Sequence, residues 1–340
     1  MSSTDPKISV VMTVYKGNEY FPKAVQSILG QTMKDIELVI VMDPCPGYRS
    51  MDMIEDATDH RIRIIENQDR EGLVRSRNIG VKSSRGKYIA VLDSDDISQP
   101  DRLEKEYSFL EKNPDHSLVG SSCDVIDGSG KVIKGDHGPW SEEEIYYSIH
   151  FSNQLPHSSI MARRSDIISV GAYDERYGIG EDYKLYLKLM DKGRVFKFDE
   201  PLIKWRSHSG SVTGSLSVDI EDHLLQMISE WYRKRYGLEV SDEQIRMFRD
   251  HSRTSISING ALDSLRALRS LNDAIIKEAP EHMDVKVIRR AAKHKMMELM
   301  TGQLVNRRLP GSLKILADNP TLLPSLIKHI IGRIAARMRG

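Results

Sequence analysis

Cysteine is nearly missing from this chain: Cys45 and Cys123 are the only two in 340 residues. They stand far apart and in no metal-ligand spacing, which excludes a disulfide scaffold and suits a reducing compartment. Net charge is missing too. Lys+Arg and Asp+Glu both number 49, so nothing draws the chain as a whole to nucleic acid or to an acidic surface. No apolar run reaches the roughly 18 residues that cross a bilayer. The opening Met1-Ser2-Ser3-Thr4-Asp5-Pro6-Lys7 lacks the apolar core and cleavage site of a signal peptide. The expectation is a cytoplasmic protein. After the first strand-like run, Thr13-Val14-Tyr15-Lys16-Gly17-Asn18-Glu19 is neither a Gly-x-Gly-x-x-Gly dinucleotide fingerprint nor the Gly-rich, Arg-containing loop of a nucleotidyltransferase.

What is present is an alternation of two periods. Hydrophobic residues make up 39% of the chain, enough for a sizeable core. Ile8–Val14 is an apolar, β-branched run of strand length, and Phe21, Val25, Ile28 and Leu29 follow at helical spacing. The pattern predicts further strands at Ile36–Met42, Arg61–Glu66, Tyr88–Leu92 and Leu118–Val125. It predicts helices around Arg49–Ala57, Leu73–Lys82 and Asp101–Lys112. Strands buried on both faces and separated by helices imply a mainly parallel sheet, whose ligands sit beyond the carboxyl ends of the strands. A hairpin turn is expected at Asp127-Gly128, strand-like pieces at Ser158–Met161, Arg194–Phe198 and Leu202–Trp205, and a helix from about Glu181. Beyond a Ser/Gly-rich stretch at 207–217 the chain reads as helical. His223–Tyr236 puts Leu224, Ile228, Trp231 and Tyr232 on one face, and Ser241-Asp242-Glu243-Gln244 has the form of a capping box. This divides the chain into an α/β domain, 1–215, and a helical region, 216–340.

Three segments carry chemistry. In Val91-Leu92-Asp93-Ser94-Asp95-Asp96 a strand delivers three acids within four positions. In an extended segment Asp93 and Asp95 would face the same side. Crowded carboxylates repel unless a cation or hydrogen-bond donors compensate, and Mg²⁺ or Mn²⁺ shared with phosphate oxygens is the usual answer. A solvated acidic turn before the helix near Pro100 fits the same residues. Gly178-Ile179-Gly180-Glu181-Asp182 places two acids in a first helical turn, where the helix dipole favours them for purely structural reasons. Transfer to a hydroxyl, however, needs a base, and a carboxylate can serve. Arg75, Arg77 and Asn78 follow Glu66-Asn67-Gln68-Asp69-Arg70-Glu71-Gly72, either as surface residues or as contacts to a phosphate or base.

These segments, in their order and spacing, resemble the family 2 glycosyltransferases of bacterial polysaccharide and glycan biosynthesis. The resemblance rests on Ile8–Tyr15, Ala24–Thr32, Glu37–Asp43, Gly72–Asn78 and Gly86–Asp96. It is strong to about residue 130 and recognisable to about 210. It implies the GT-A fold, a Rossmann-like α/β arrangement with a nucleotide-sugar donor half (1–130) and an acceptor and catalytic-base half (131–215). It implies an inverting hexosyl- or N-acetylhexosaminyl-transferase using a nucleoside diphosphate sugar, with UDP expected first. By the same resemblance Thr13, Tyr15 and Asp43 form the base pocket, and Glu19, Arg77, Asp93 and Ser94 contact the donor. Asp95 and His208 hold Mn²⁺ or Mg²⁺, and Asp182 is the base. Thr13 stands where the family often has Pro, and Lys16 where it often has Asn. The implied acceptor is a glycan or a lipid-linked saccharide.

The last twenty residues, 321–340, put four basic residues and no acid around an apolar stripe. Such a helix suits packing on the rest of the chain, a homodimer contact, or peripheral binding at the inner face of a membrane. The non-catalytic alternative for the whole chain is a nucleotide-sugar-binding or scaffold protein on the same fold, which the retained Asp43, Asp93, Asp95 and Asp182 oppose.

Overall fold

The structure, a computed structural model, describes residues 5–47, 50–54, 58–136, 140–208, 218–250 and 258–305. The segment 321–340 and most of the Ser/Gly-rich stretch lie outside them. The described residues fall into two compact units. The first comprises residues up to Ile145 and Asn153–Ile220; the second comprises Tyr146–Ser152 and the residues from Glu221.

In the first unit β1 (Ile8–Val14) leads through α1 (Phe21–Leu29) to β2 (Ile36–Met42) and β3 (Ile62–Glu66). Next come α2 (Leu73–Ser83), β4 (Tyr88–Val91), the short β5 (Ile97–Ser98), α3 (Arg102–Lys112), β6 (His116–Ile126) and β7 (Val132–Asp136). After α4 (Glu142–Ser148), whose last turn belongs to the second unit, follow β8 (Met161–Arg163), α5 (Arg164–Ser169), α6 (Glu181–Leu189) and β9 (Arg194–Arg206). One sheet runs β3-β2-β1-β4-β8-β6-β9-β5, with β7 paired to β6. β3, β2, β1 and β4 are parallel, as expected of apolar strands joined by helices. The second half is mixed: β8 runs antiparallel to β4 and β6, while β9 returns parallel to β6.

The core follows the pleat. Ile8, Val10, Met12 and Val14 share a buried cluster with Phe21, Val25 and Ile28 of α1 and Leu103 and Leu110 of α3. On the other face Val11 lies against Gly80 of α2. This layering leaves the carboxyl ends of β1, β2 and β4 as the place where loops converge.

Several expectations are corrected. The helix expected around Arg49–Ala57 is, in its described part, a single 3₁₀ turn, Ser50–Met53. Ser158–Met161 is not a strand: a 3₁₀ turn, His157–Ser159, precedes β8. The two pieces expected at 194–205 are one bent strand, β9, whose pairing to β6 shifts register at Ser121–Cys123. In the β6–β7 hairpin the positive φ falls at Gly130, not at Asp127-Gly128, because Asp127 Oδ1 accepts from the Ser129 and Lys131 amides and shapes the turn itself.

The second unit is helical: α7 (Val218–Tyr236), α8 (Asp242–Arg249), α9 (Ile258–Lys277) and α10 (Val285–Val305). Ile228, Trp231 and Tyr232 of α7 are buried as the spacing predicts, and Ser241 and Gln244 complete the capping box of α8. Tyr146–Ser152 pack here. Tyr147 donates to Asn272 Oδ1 at 2.8 Å, and His150 Nε2 lies 2.6 Å from the Tyr236 hydroxyl. No described helix is long and apolar enough to cross a membrane.

Candidate active site

The carboxyl ends of β1, β2 and β4 deliver side chains to one cavity of about 750 Å³ in the first unit. Thr13, Tyr15, Asp43, Arg77, Asp93, Ser94, Asp95, Asp182 and His208 all line it. Of the residues singled out in the sequence, Glu19, Arg75 and Asn78 do not line it; Glu19 is exposed on the turn before α1.

At one end lies Asp43, directly after β2. Its Oδ1 accepts from Asn67 Nδ2 at 2.6 Å, Ser76 Oγ at 3.1 Å and the Glu71 amide at 3.2 Å; its Oδ2 accepts from the Gly72 amide at 2.7 Å. Asp43 therefore fastens the 67–72 loop, and Oδ2 keeps a lone pair for a further donor. Beside it the Arg70 guanidinium lies 4.0 Å from the centre of the Tyr15 ring, which is 40% exposed.

The acid-rich segment after β4 is a turn, closed by the Asp96 amide donating to the Asp93 carbonyl at 3.2 Å, and not the extended run that would set Asp93 and Asp95 side by side. The turn separates the three acids. Asp93 Oδ1 accepts from Arg77 Nη2 at 2.9 Å; Asp95 Oδ2 lies 2.9 Å from His208 Nε2; Asp96 accepts from Ser158 Oγ and, at 2.7 Å, from the Arg206 amide. Burial would raise Asp93, but Arg77 holds it below the usual carboxylate range. Asp95 and Asp96 move the other way, raised by burial and then by their acidic neighbours. Asp95 and His208 offer one oxygen and one nitrogen donor. Among the described residues no group of three or more metal-binding side chains is assembled. The pair could hold Mn²⁺ or Mg²⁺ only jointly with phosphate oxygens and water, which is how such ions share a diphosphate.

At the other end α6 begins at Gly180, whose left-handed φ of 82° turns the chain so that Glu181 and Asp182 enter the first helical turn. Glu181 is buried and pairs with Arg77 Nη1. Burial raises Glu181 to about 7, with Arg77 opposing and Asp182 adding to the rise. Asp182 faces the cavity, raised by burial against the pull of Arg77. Arg77 is thus no loose cation reaching for a ligand. At 5% exposure it bridges Asp93 to Glu181 and ties the turn after β4 to the start of α6. Asn78, next to it, exchanges hydrogen bonds with the Tyr173 backbone, while Arg75 pairs on the surface with Glu71 and Glu175.

Three side chains went unassigned in the sequence. Arg206 is 2% exposed, donates to the Asp95 and Asp127 carbonyls at 2.8 and 2.9 Å, and packs over Tyr20. Its proximity to His208 was the only signal, and a lone Arg on a strand does not announce burial. His157 links the Tyr173 and Tyr186 hydroxyls and is held neutral by burial, down to about 3. Asn153 donates to Asp182. Neither of these two has a pattern in the sequence, because both act through residues far along the chain.

A family model described as Glycosyl transferase family 2 matches residues 9–175. An uncharacterised glycosyltransferase of Methanocaldococcus jannaschii is 35% identical over 209 residues, which cover 59% of this chain and 71% of that protein. The O-antigen biosynthesis glycosyltransferase WbnJ of Escherichia coli is 30% identical over 213 residues, 61% of this chain and 82% of that protein. Among solved structures, S. aureus TarS residues 1–349 in complex with UDP-GlcNAc is similar at a TM-score of 0.57 and 17% identity. The match covers 91% of this chain and 88% of that chain. That likeness is one of fold, the GT-A arrangement of a curled α/β sheet with flanking helices.

Proposed function

The chain belongs to glycosyl transferase family 2, and we propose that it moves a sugar, with inversion, from a nucleoside diphosphate sugar to a hydroxyl group of a glycan or lipid-linked saccharide. One observation carries this reading: a single cavity holds the Asp95–His208 pair and, across the Arg77 bridge, an independent carboxylate, Asp182. UDP is the first candidate donor nucleotide, supported by the TarS complexes with UDP-GlcNAc and UDP.

In this reading Thr13, Tyr15 and the free lone pair of Asp43 Oδ2 receive the base, and Asp93 and Ser94 lie along the ribose and diphosphate. Asp95 and His208 would hold Mn²⁺ or Mg²⁺. Such an ion, when bound, neutralises charge gathering on the leaving diphosphate. The acceptor oxygen attacks C1 of the sugar from the face opposite the diphosphate. The C1–O bond to phosphate breaks as the new C1–O bond forms, and the hydroxyl proton passes to the Asp182 carboxylate. A carboxylate raised above its ordinary range is a stronger base than a solvated one, and Arg77 opposes the rise.

The test is thermal stability against UDP, GDP, dTDP and CMP, each with and without Mn²⁺, on wild type and Asp95→Ala. A ligand at a hundred times its Kd adds about 2.7 kcal/mol, a clear shift in Tm. A shift for one nucleoside diphosphate that needs both Mn²⁺ and Asp95 is the expected result. The same shift in Asp95→Ala would remove Asp95 from the metal site, and no shift with any nucleotide would turn the reading towards a non-catalytic module.

A further inference from the structure

The base does not stand alone. Asn153 Nδ2 donates to Asp182 Oδ2 at 2.8 Å, while the Tyr183 amide donates to Oδ1 at 2.6 Å. The orientation of the Asn153 amide is itself fixed, because its Oδ1 accepts the Leu155 amide at 3.0 Å, which leaves the NH₂ group to face Asp182. Leu155 is 1% exposed, so the turn that presents Asn153 is anchored in the core. Three residues on, Ser158 Oγ accepts from the Asp93 amide and donates to Asp96, so one short segment touches both ends of the acidic array.

Resting on the assignment of Asp182 as base, we propose that Asn153 is its positioning residue, holding the carboxylate in the orientation that meets the acceptor hydroxyl. Asp182 is faced by Arg77 from α2, Asp93 from the turn after β4, Glu181 on its own helix, and the Tyr173 and Tyr186 hydroxyls. Arg77 spends its Nη1 and Nη2 on Glu181 and Asp93. Asn153 therefore supplies a neutral donor to Oδ2, across the carboxylate from the Tyr183 amide on Oδ1. A donor to a carboxylate favours its ionised form, so Asn153 favours the proton-accepting form of the base, against burial. Asn153 is itself exposed at the cavity wall, and replacing it opens no hole in the core.

The experiment follows UDP release from a UDP-sugar, with water as acceptor, as kcat against pH from 5 to 9.5. It compares wild type, Asn153→Ala, Asn153→Asp and Asp182→Asn; the nucleotide-induced Tm shift checks that each is folded. A hydrogen bond to a charged group is worth about one pKa unit or more. Asn153→Ala should move the acid limb of kcat up by about one unit, so that its loss grows towards about tenfold at the acid end of the range and fades at the alkaline end, with KM for the donor unchanged. Asn153→Asp, which sets a second carboxylate against the base, should shift the limb further. An unshifted profile in Asn153→Ala, or a loss equal at every pH, overturns the positioning role while Asp182→Asn remains inactive. Turnover by Asp182→Asn near wild type overturns the base assignment, and the positioning role with it.

Discussion

Glu37 near the start of β2 and Asp43 just past its end are six residues apart, at opposite edges of one sheet. At the amino edge Glu37 is 2% exposed and fully compensated. It accepts from Ser9 Oγ at 2.6 Å, the Arg85 amide at 2.7 Å, Arg63 Nη1 at 2.9 Å and Arg85 Nε at 3.0 Å. Burial would raise it, yet these donors hold it below the usual carboxylate range. At the carboxyl edge the same number of donors serves Asp43 alone, while Asp95, Asp96, Glu181 and Asp182 are all raised. The amino edge is built to be finished without a ligand. The carboxyl edge leaves acids short of positive charge, which fits the metal and base roles proposed for them.

The largest expected effect at the carboxyl edge is on rate. Asp182→Asn should lower kcat by about 10²–10⁴-fold with nucleotide affinity and Tm kept, measured by UDP release and thermal shift. Next comes the bridge: Arg77→Met leaves Asp93 and Glu181 buried without a cation, an expected loss of about 3–5 kcal/mol at pH 7 in urea unfolding. Without Arg77 Asp93 loses the cation that holds it low and Glu181 rises further, so the folded variant binds protons that the unfolded chain releases. Its deficit should shrink as the pH falls from 7 to 5, and a deficit constant with pH would contradict the bridge.

At the amino edge Glu37→Ala should cost stability and spare chemistry. The expected loss is about 2–3 kcal/mol, below the usual cost of breaking a buried pair because Arg63 and Arg85 can turn to water, with kcat per folded molecule unchanged. The smallest effect sharpens the contrast of sign. Glu181, raised to about 7, contributes stability that is present below its unfolded value near 4.5 and lost as pH rises through 7. Glu181→Gln should therefore gain in Tm relative to wild type as pH rises from 5 to 8. Glu37, held low, has the opposite dependence: its contribution is present above about 4.5 and lost as pH falls.

How much of this was legible follows from where each signal lies. The parallel half was readable because a strand buried on both faces must be largely apolar, and β2 is an unbroken apolar run from Leu38 to its last residue, Met42. Asp93, Asp95 and Asp182 were legible as candidates because they sit where strand or Gly-rich loop meets a turn or helix. The mixed half was harder. β9 carries half-buried residues and a bend, so its middle, Asp199-Glu200-Pro201, reads as a break. A domain boundary drawn along the sequence at 215 has no means of expressing that Tyr146–Ser152 belong with the unit that resumes at Glu221.

Composition, period and the spacing of local blocks determined by themselves the class of fold, the parallel half and the family, since each depends on neighbours within a turn or a strand. Tertiary structure alone decided the charge arrangement. It made Arg77 a bridge between residues 16 and 104 positions away, dealt Asp93, Asp95 and Asp96 to three different partners, and brought Asn153 to Asp182. Electrostatics acts through space and depends on burial, and neither distance nor burial is a property of a sequence segment taken alone.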